Sequence, residues 1–286
     1  MIVRLLVLIV ALALAAPAAA DPPVWRIKQG EAEITLFGSV HLLAEGEDWR
    51  SPEVRAALAA ADQLWFEVPL DAAARAAGAS AAAAKGMLPA GQTLTALLDA
   101  DTGARLDRIS GRLGVSRAQL DPFQPWFVEL WISVLDLQSQ GARQMLGVDE
   151  QIAAMAPSGT PRRAFETPEQ QVSMLADQPM TDQVRMLAQT LRDIEEEPDA
   201  FARLQKAWID GDLAWIDREA LAPMRAESPR LYEVMVVDRN RRWVETIQRL
   251  LKSADHVFIV VGVGHLVGPD SVPVMLRRNG VAVEGP

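Results

Sequence analysis

Strand-like and helix-like patterns of apolar residues alternate at both ends of the chain, and helical spacing dominates the middle. Residues 25–28 and 34–37 read as two strands around a turn at Gln29-Gly30-Glu31. Ser51-Pro52-Glu53 is a helix start, with serine as N-cap, proline in the first turn and an acid where the helix dipole favours one. That helix runs to about Asp62. Leu64-Trp65-Phe66-Glu67-Val68 reads as a buried strand closed by Pro69, and the Ala-rich residues 72–84 as a helix. Residues 125–140 open on proline and carry Phe127, Leu130, Trp131, Val134 and Leu137 at helical spacing. A short helix over 149–156 precedes a strand over 163–166, and Thr167-Pro168-Glu169 restarts a helix. Three helices follow over 181–221, broken at Pro198 and Gly211, and then a long amphipathic one over 229–251. His256 opens the β-branched run HVFIVV, a strand buried on both faces. After a loop over 262–268, residues 271–279 are helical, Gly280 is the C-cap, and 281–283 form a last strand. No linker rich in Pro, Ser or Gly interrupts the pattern. The expectation is a single α/β domain, a mixed central sheet with a large helical insertion between its two halves.

The first twenty residues stand apart. Arg4 gives a positive start, 5–16 are an unbroken apolar run, and Ala18-Ala19-Ala20 precede Asp21. This is the pattern of a cleaved secretory signal peptide, and the run falls short of the ~20 apolar residues of a spanning helix. The expected domain is therefore 21–286, in the periplasm or secreted, with no membrane association after cleavage. Among 286 residues there is no cysteine, so a disulfide framework, a thiolate zinc site and a cysteine nucleophile are excluded. The net charge of −10 argues against a nucleic-acid partner. The oligomeric state is not legible.

Histidine is scarce, and two of the three lie in matching text. Residues 36–43 read LFGSVHLL and 260–267 read VVGVGHLV. Each is an apolar strand, then Gly-x-x-His, then two apolar residues. The glycine is expected to let the chain turn sharply, which projects His41 and His265 at the carboxyl ends of strands, where open α/β sheets gather ligands. Glu67 and Glu166 each close an apolar run, awkward for a carboxylate without a partner. His41, Glu67, Glu166 and His265 together have the donor chemistry of a hydrolytic metal site. Plainer roles stay open: a hydrogen-bonding histidine, a Glu67 paired with arginine, a Glu166 favoured by the following helix dipole. His256, about 20 Å from His265 along its strand, is expected to stay out of any site. Ser39, two residues before His41, is a weak candidate nucleophile. There is no dinucleotide fingerprint, Walker motif, His-Glu-x-x-His or Gly-x-Ser-x-Gly.

The LFGSVHLL, LWFEV and VVGVGHLVGPDSVPVMLRRNGVAVE stretches resemble the TraB/GumN family, which includes the Tiki metalloproteases. The segments Gly147-Val148-Asp149-Glu150, Phe165-Glu166-Thr167 with Gln170, and Arg239-Asn240 with Trp243 fit the same resemblance. It implies a fold shared with erythromycin-esterase-like and heme-binding ChaN-like proteins. It also implies peptide cleavage that depends on a divalent metal, manganese or cobalt favoured and zinc possible. Carried over by position, His41, Glu67 and His265 form the active-site set and Arg239 a supporting charge. Three readings compete, of which the first, an exported metal-dependent hydrolase, is the expected one and the other two are alternatives. One is a metal-dependent peptidase with His41, His265, Glu67 and Glu166 as ligands. A second is a metal-independent esterase-like hydrolase with a histidine base. The third is a non-catalytic protein that binds a peptide or heme. The partner is a peptide or small-molecule substrate.

Overall fold

A computed structural model describes residues 21–43, 48–253 and 255–286; the signal peptide expected over 1–20 lies outside them. β1 (Val24–Gln29) and β2 (Ala32–Ser39) form a hairpin. Its two-residue turn places Gly30 at φ 62°, a conformation that glycine adopts without strain. β3 (Gln63–Phe66), β4 (Arg162–Ala164), β5 (His256–Gly262) and β6 (Val283–Glu284) complete one sheet in the order β4-β3-β5-β2-β1-β6. β4, β3, β5 and β2 run parallel; β1 is antiparallel to both its neighbours. The sheet is mixed and the protein a single α/β domain, as the pattern predicts.

Successive residues of a strand face opposite sides, so the unbroken apolar run of β5 supplies two cores. Phe258 and Val260 join Phe37, Leu64, Phe66, Trp49 and Trp208 on one face. Val257, Ile259 and Val261 join Trp25, Ile27, Leu36, Trp243 and Ile247 on the other. The principal helices are α1 (Pro52–Ala60), α2 (Ala72–Gly86), α3 (Ala100–Arg112), α4 (Pro125–Ser139), α5 (Val148–Met155), α6 (Pro168–Ala176), α7 (Met180–Glu196), α8 (Ala200–Ile209), α9 (Asp238–Leu250) and α10 (Val272–Arg278). α1 starts where Ser51 predicts, its Oγ accepting from the Val54 N–H at 3.2 Å. Thr167 and Gln170 close a capping box on α6. The insertion has a core of its own, with Leu106, Ile109, Ile132, Leu187 and Leu191 wholly buried.

Three details depart from the sequence pattern. Residues 87–124, to which the sequence reading assigns no element, contain α3, capped by Asp99, and two short helices, Leu94–Leu97 and Arg117–Leu120. The third helix of the middle block continues past Leu221 through the π-helical Ile216–Leu221 into Ala222–Glu227. Pro223 sits in the first turn of that last piece, where a missing N–H is tolerated. A second π-helical turn, Glu233–Val237, leads into α9, so the helix expected over 229–251 is irregular rather than uniform.

Candidate functional site

The sheet order sets the site. Along β4-β3-β5-β2 the residues that follow the strands are, in turn, Glu166, Glu67, His265 and His41. β3 and β4 end just before the two glutamates, but the pairing continues through Glu166 N–H to Glu67 C=O at 2.9 Å. Both histidines converge on one atom: His41 Nε2 and His265 Nε2 each lie 3.9 Å from Glu67 Oε1. His256 is exposed at the far end of β5, away from this cluster.

The glycines of the two motifs work differently from the sharp turn expected of them. Neither Gly38 nor Gly262 has a positive φ. What each supplies is the absence of a side chain. A Cβ on Gly262 would meet Glu67 Oε1 at 3.1 Å and His41 Nε2 at 3.6 Å. A Cβ on Gly38 would meet Val263 Cγ2 at 3.0 Å. The bare backbone of Gly262 approaches Glu67 closely enough to donate its N–H to Oε1 at 2.7 Å.

His41 has a partner that the pattern of motifs did not single out. Its Nδ1 lies 2.9 Å from Asp149 Oδ2, and Asp149 Oδ1 accepts from the Ser39 hydroxyl at 3.0 Å. Asp149 is buried in the first turn of α5, where an acid reads as an ordinary helix-start residue; its burial was the missing signal. Desolvation pulls the His41 pKa down, but the hydrogen bond and charge of Asp149, with Glu67 behind them, raise it to about 9. The side chain is 62 % exposed, so water screens part of that attraction. Ser39 is wholly buried and spends its proton on Asp149, which removes the nucleophile role.

His265 sits in the opposite environment. It is buried, and its Nε2 lies 2.9 Å from Arg239 Nη1. Arginine can only donate, so Nε2 is the acceptor and the ring proton is on Nδ1, which donates to Asn240 Oδ1 at 2.7 Å. Asn240 is fixed in turn by donating to the Asp270 carbonyl at 2.8 Å. Burial lowers the His265 pKa to about 3; Glu67 opposes this and Arg239 reinforces it. The ring of Trp243 packs at 4.4 Å from the imidazole.

Arg239, 4 % exposed on α9, ties the cluster together. Its Nε donates to Glu166 at 2.9 and 3.1 Å, its Nη2 to Glu67 Oε2, its Nη1 to the Met235 carbonyl at 3.3 Å. Glu166 also accepts from Trp243 Nε1 at 3.2 Å, and Gln171 Nε2 donates to Glu67 at 3.2 Å and Glu166 at 3.3 Å. Burial would raise the Glu67 pKa, but Arg239, the two histidines and the Gly262 N–H hold it far below the usual carboxylate range. Asn240 belongs to a segment that the resemblance marked without giving it a role; Gln171 carries no motif of its own, and only its place beside Glu166 could have marked it.

Two imidazole nitrogens and a carboxylate oxygen this close are suitable chemistry for manganese, cobalt or zinc. Their hydrogen bonding is not. Glu67 Oε1 accepts from Gly262 and Oε2 from Arg239 and Gln171, while the His265 lone pair is directed at Arg239. Among the described residues, no three His, Asp or Glu side chains form a group spaced to hold a metal ion. As arranged, these residues do not fit a divalent metal. Of these side chains His41 alone borders a cleft of about 590 Å³, lined also by Gly262 and Gly264 and walled by apolar Leu42, Phe201 and Trp215; a smaller pocket of about 200 Å³ is lined by His41, Glu67, Asp149 and Gln171.

No curated protein and no solved structure matches this chain. A family model does, over residues 23–285, nearly the whole of it. The chain belongs to the TraB/PrgY/gumN family.

Proposed function

We propose that this protein is a hydrolase of peptide or ester bonds in which His41, oriented by Asp149, is the general base. The observation that carries the reading is the 2.9 Å contact from His41 Nδ1 to Asp149, which leaves Nε2 3.9 Å from Glu67 Oε1 beside the pocket of about 200 Å³ that His41, Glu67 and Asp149 line. A water about 2.8 Å from both atoms would bridge them. With the His41 pKa raised to about 9, its Nε2 is free to accept only as the pH climbs toward that value. There the water's proton passes to the neutral ring as its oxygen adds to the substrate carbonyl, and Nε2 then returns the proton to the leaving amine or alcohol. Turnover should therefore rise with pH up to about 9. Glu67, pinned by Gly262 and Arg239, orients the water and is too weak a base to compete for the proton. The apolar wall of the cleft suits a substrate with an apolar side chain beside the scissile bond. The N-terminal twenty residues support export, with Asp21 as the first residue of the mature chain; N-terminal sequencing of the purified protein checks this.

The test is hydrolysis of peptide and ester libraries by the exported protein in excess chelator. Activity should survive chelation, fall by about 10²–10⁴ in His41→Ala, and change little in Ser39→Ala. Activity that needs added manganese, cobalt or zinc, or that persists in His41→Ala, overturns the reading. Peptide or heme binding with no turnover would replace hydrolysis by sequestration.

A further inference from the structure

The side chains that end the four parallel strands form a donor set of two imidazoles and two carboxylates, yet a permanent organic cation lies among them. The guanidinium of Arg239 contacts Glu67, Glu166 and His265 at once, and its Cζ lies 4.7 Å from the Trp243 ring centroid. Every one of these groups stabilises positive charge at the same point: two carboxylates, a ring-nitrogen lone pair and the negative face of an indole. The lone pair is decisive. Asn240 Oδ1 fixes the proton of His265 on Nδ1, so Nε2 is left as an acceptor in the orientation that metal-binding histidines use. Here it accepts an N–H of Arg239 instead. A divalent ion and the guanidinium would compete for one lone pair and repel each other across a few ångströms.

We propose that Arg239 is the resident cation of this site and that a divalent-metal site, made of Glu67, Glu166 and His265 with His41 at its edge, lies latent beneath it. The native protein is then metal-free at this position because its cation is covalently built in. As they stand these side chains are not spaced to hold a metal ion; replacing the guanidinium by an uncharged side chain of similar length releases Glu67, Glu166 and His265 from the geometry it imposes and lets them close on one. This goes beyond the hydrolase reading and does not depend on it, because metal binding is measured without turnover.

The experiment uses the full exported chain, stripped with chelator and dialysed, and follows manganese by the loss of the free-ion electron paramagnetic resonance signal. Wild type and Arg239→Lys, which keeps a positive charge, should show no stoichiometric site. Arg239→Met should bind one ion about 10–100-fold more tightly than wild type, the range that separates a completed site from a disrupted one. Adding His265→Ala to Arg239→Met should abolish that gain. Arg239→Met takes the guanidinium from two buried carboxylates and leaves Glu166 with the more distant Arg242 at 3.7 Å as its cation, which is destabilising. Manganese should therefore raise its thermal midpoint and leave that of wild type unmoved. Should Arg239→Met not fold, the Arg239→Met/Glu166→Gln pair removes one of the two buried charges and carries the same comparison. Stoichiometric manganese on wild type that is lost in His265→Ala overturns the proposal. So does a folded Arg239→Met protein, or the folded double variant in its place, that binds no more tightly than wild type.

Discussion

Asp149→Asn separates the two things that Asp149 does for His41. The carboxylate accepts the Nδ1 proton at 2.9 Å and supplies the charge that, against desolvation, raises the imidazole from 6.5 to about 9. A rise of that size corresponds to at most about 3 kcal/mol. With the side chain 62 % exposed, solvent screening reduces it to about 1–2 kcal/mol. The folded-state value is raised, so this stabilisation is complete below pH 6.5 and is lost as the pH climbs through 9. Asparagine keeps the shape and can still accept from Ser39 through Oδ1. Its amide then faces Nδ1 and donates to it, which forces the neutral ring to carry its proton on Nε2. The expected result is a His41 titration that falls back toward 6.5, a stability curve that no longer declines above pH 6.5, and turnover lower by about 10³–10⁴ because the base presents the wrong tautomer. Only three histidines are present, so imidazole nitrogen NMR resolves them one by one. A wild-type His41 that titrates near 6.5, or an Asp149→Asn variant that leaves its pKa or the turnover unchanged, refutes the reasoning.

Two further outcomes follow from the same geometry. Gly262→Ala places a methyl 3.1 Å from Glu67 Oε1 and 3.6 Å from His41 Nε2, so a carboxylate held from both sides must shift. We expect a loss of about 1–3 kcal/mol in chemical denaturation together with reduced turnover, and an unchanged protein would show that the Gly262 approach is not what shapes the gap. On the acid side, His265 is depressed to about 3 and Glu67 is depressed as well, so both contributions are present at neutral pH and lost as the pH falls. Stability should decline from pH 6.5 downward, by up to on the order of 4 kcal/mol for His265 alone; a denaturation midpoint that is flat between pH 6.5 and 4.5 contradicts the buried neutral imidazole.

What the sequence made legible was whatever depends on one strand or one helix end. Ser51-Pro52 and Thr167-Pro168 start helices because their capping groups act within four residues. The apolar run of β5 marks a central strand because both its faces need cover. The echo of Gly-x-x-His at 38–41 and 262–265 pointed to one edge of one sheet, and β2 pairs with β5 in the register that brings Ser39 opposite Gly262. What stayed hidden depends on contacts between elements distant in sequence. α3 places Leu106 and Ile109 in a core shared with Ile132, Leu187 and Leu191, contacts that come from elements distant in sequence. Asp149 looks like any helix-start acid until α5 is docked against the end of β2. The resemblance marked Arg239 as a supporting charge, but what it supports, Glu67, Glu166 and His265 at once, shows only when the helix is packed against the sheet edge.

The two matched motifs carry histidines with opposite properties, and the difference is set entirely by the neighbours. His41 is exposed and faces an acid, so it gains charge; His265 is buried and faces a cation, so it loses it. Environments that push paired titratable groups apart assign them separate roles. A ring held neutral with its lone pair committed to Arg239 has no spare acceptor for a substrate proton, so in the proposed hydrolysis proton transfer falls to His41 alone. His265 instead fixes one N–H of Arg239, and Arg239 fixes the carboxylate that faces His41. The duplicated sequence text therefore does not build a symmetric pair of ligands. On the proposed reading it builds one moving-proton site and one rigid clamp that holds the opposite wall of that site in place.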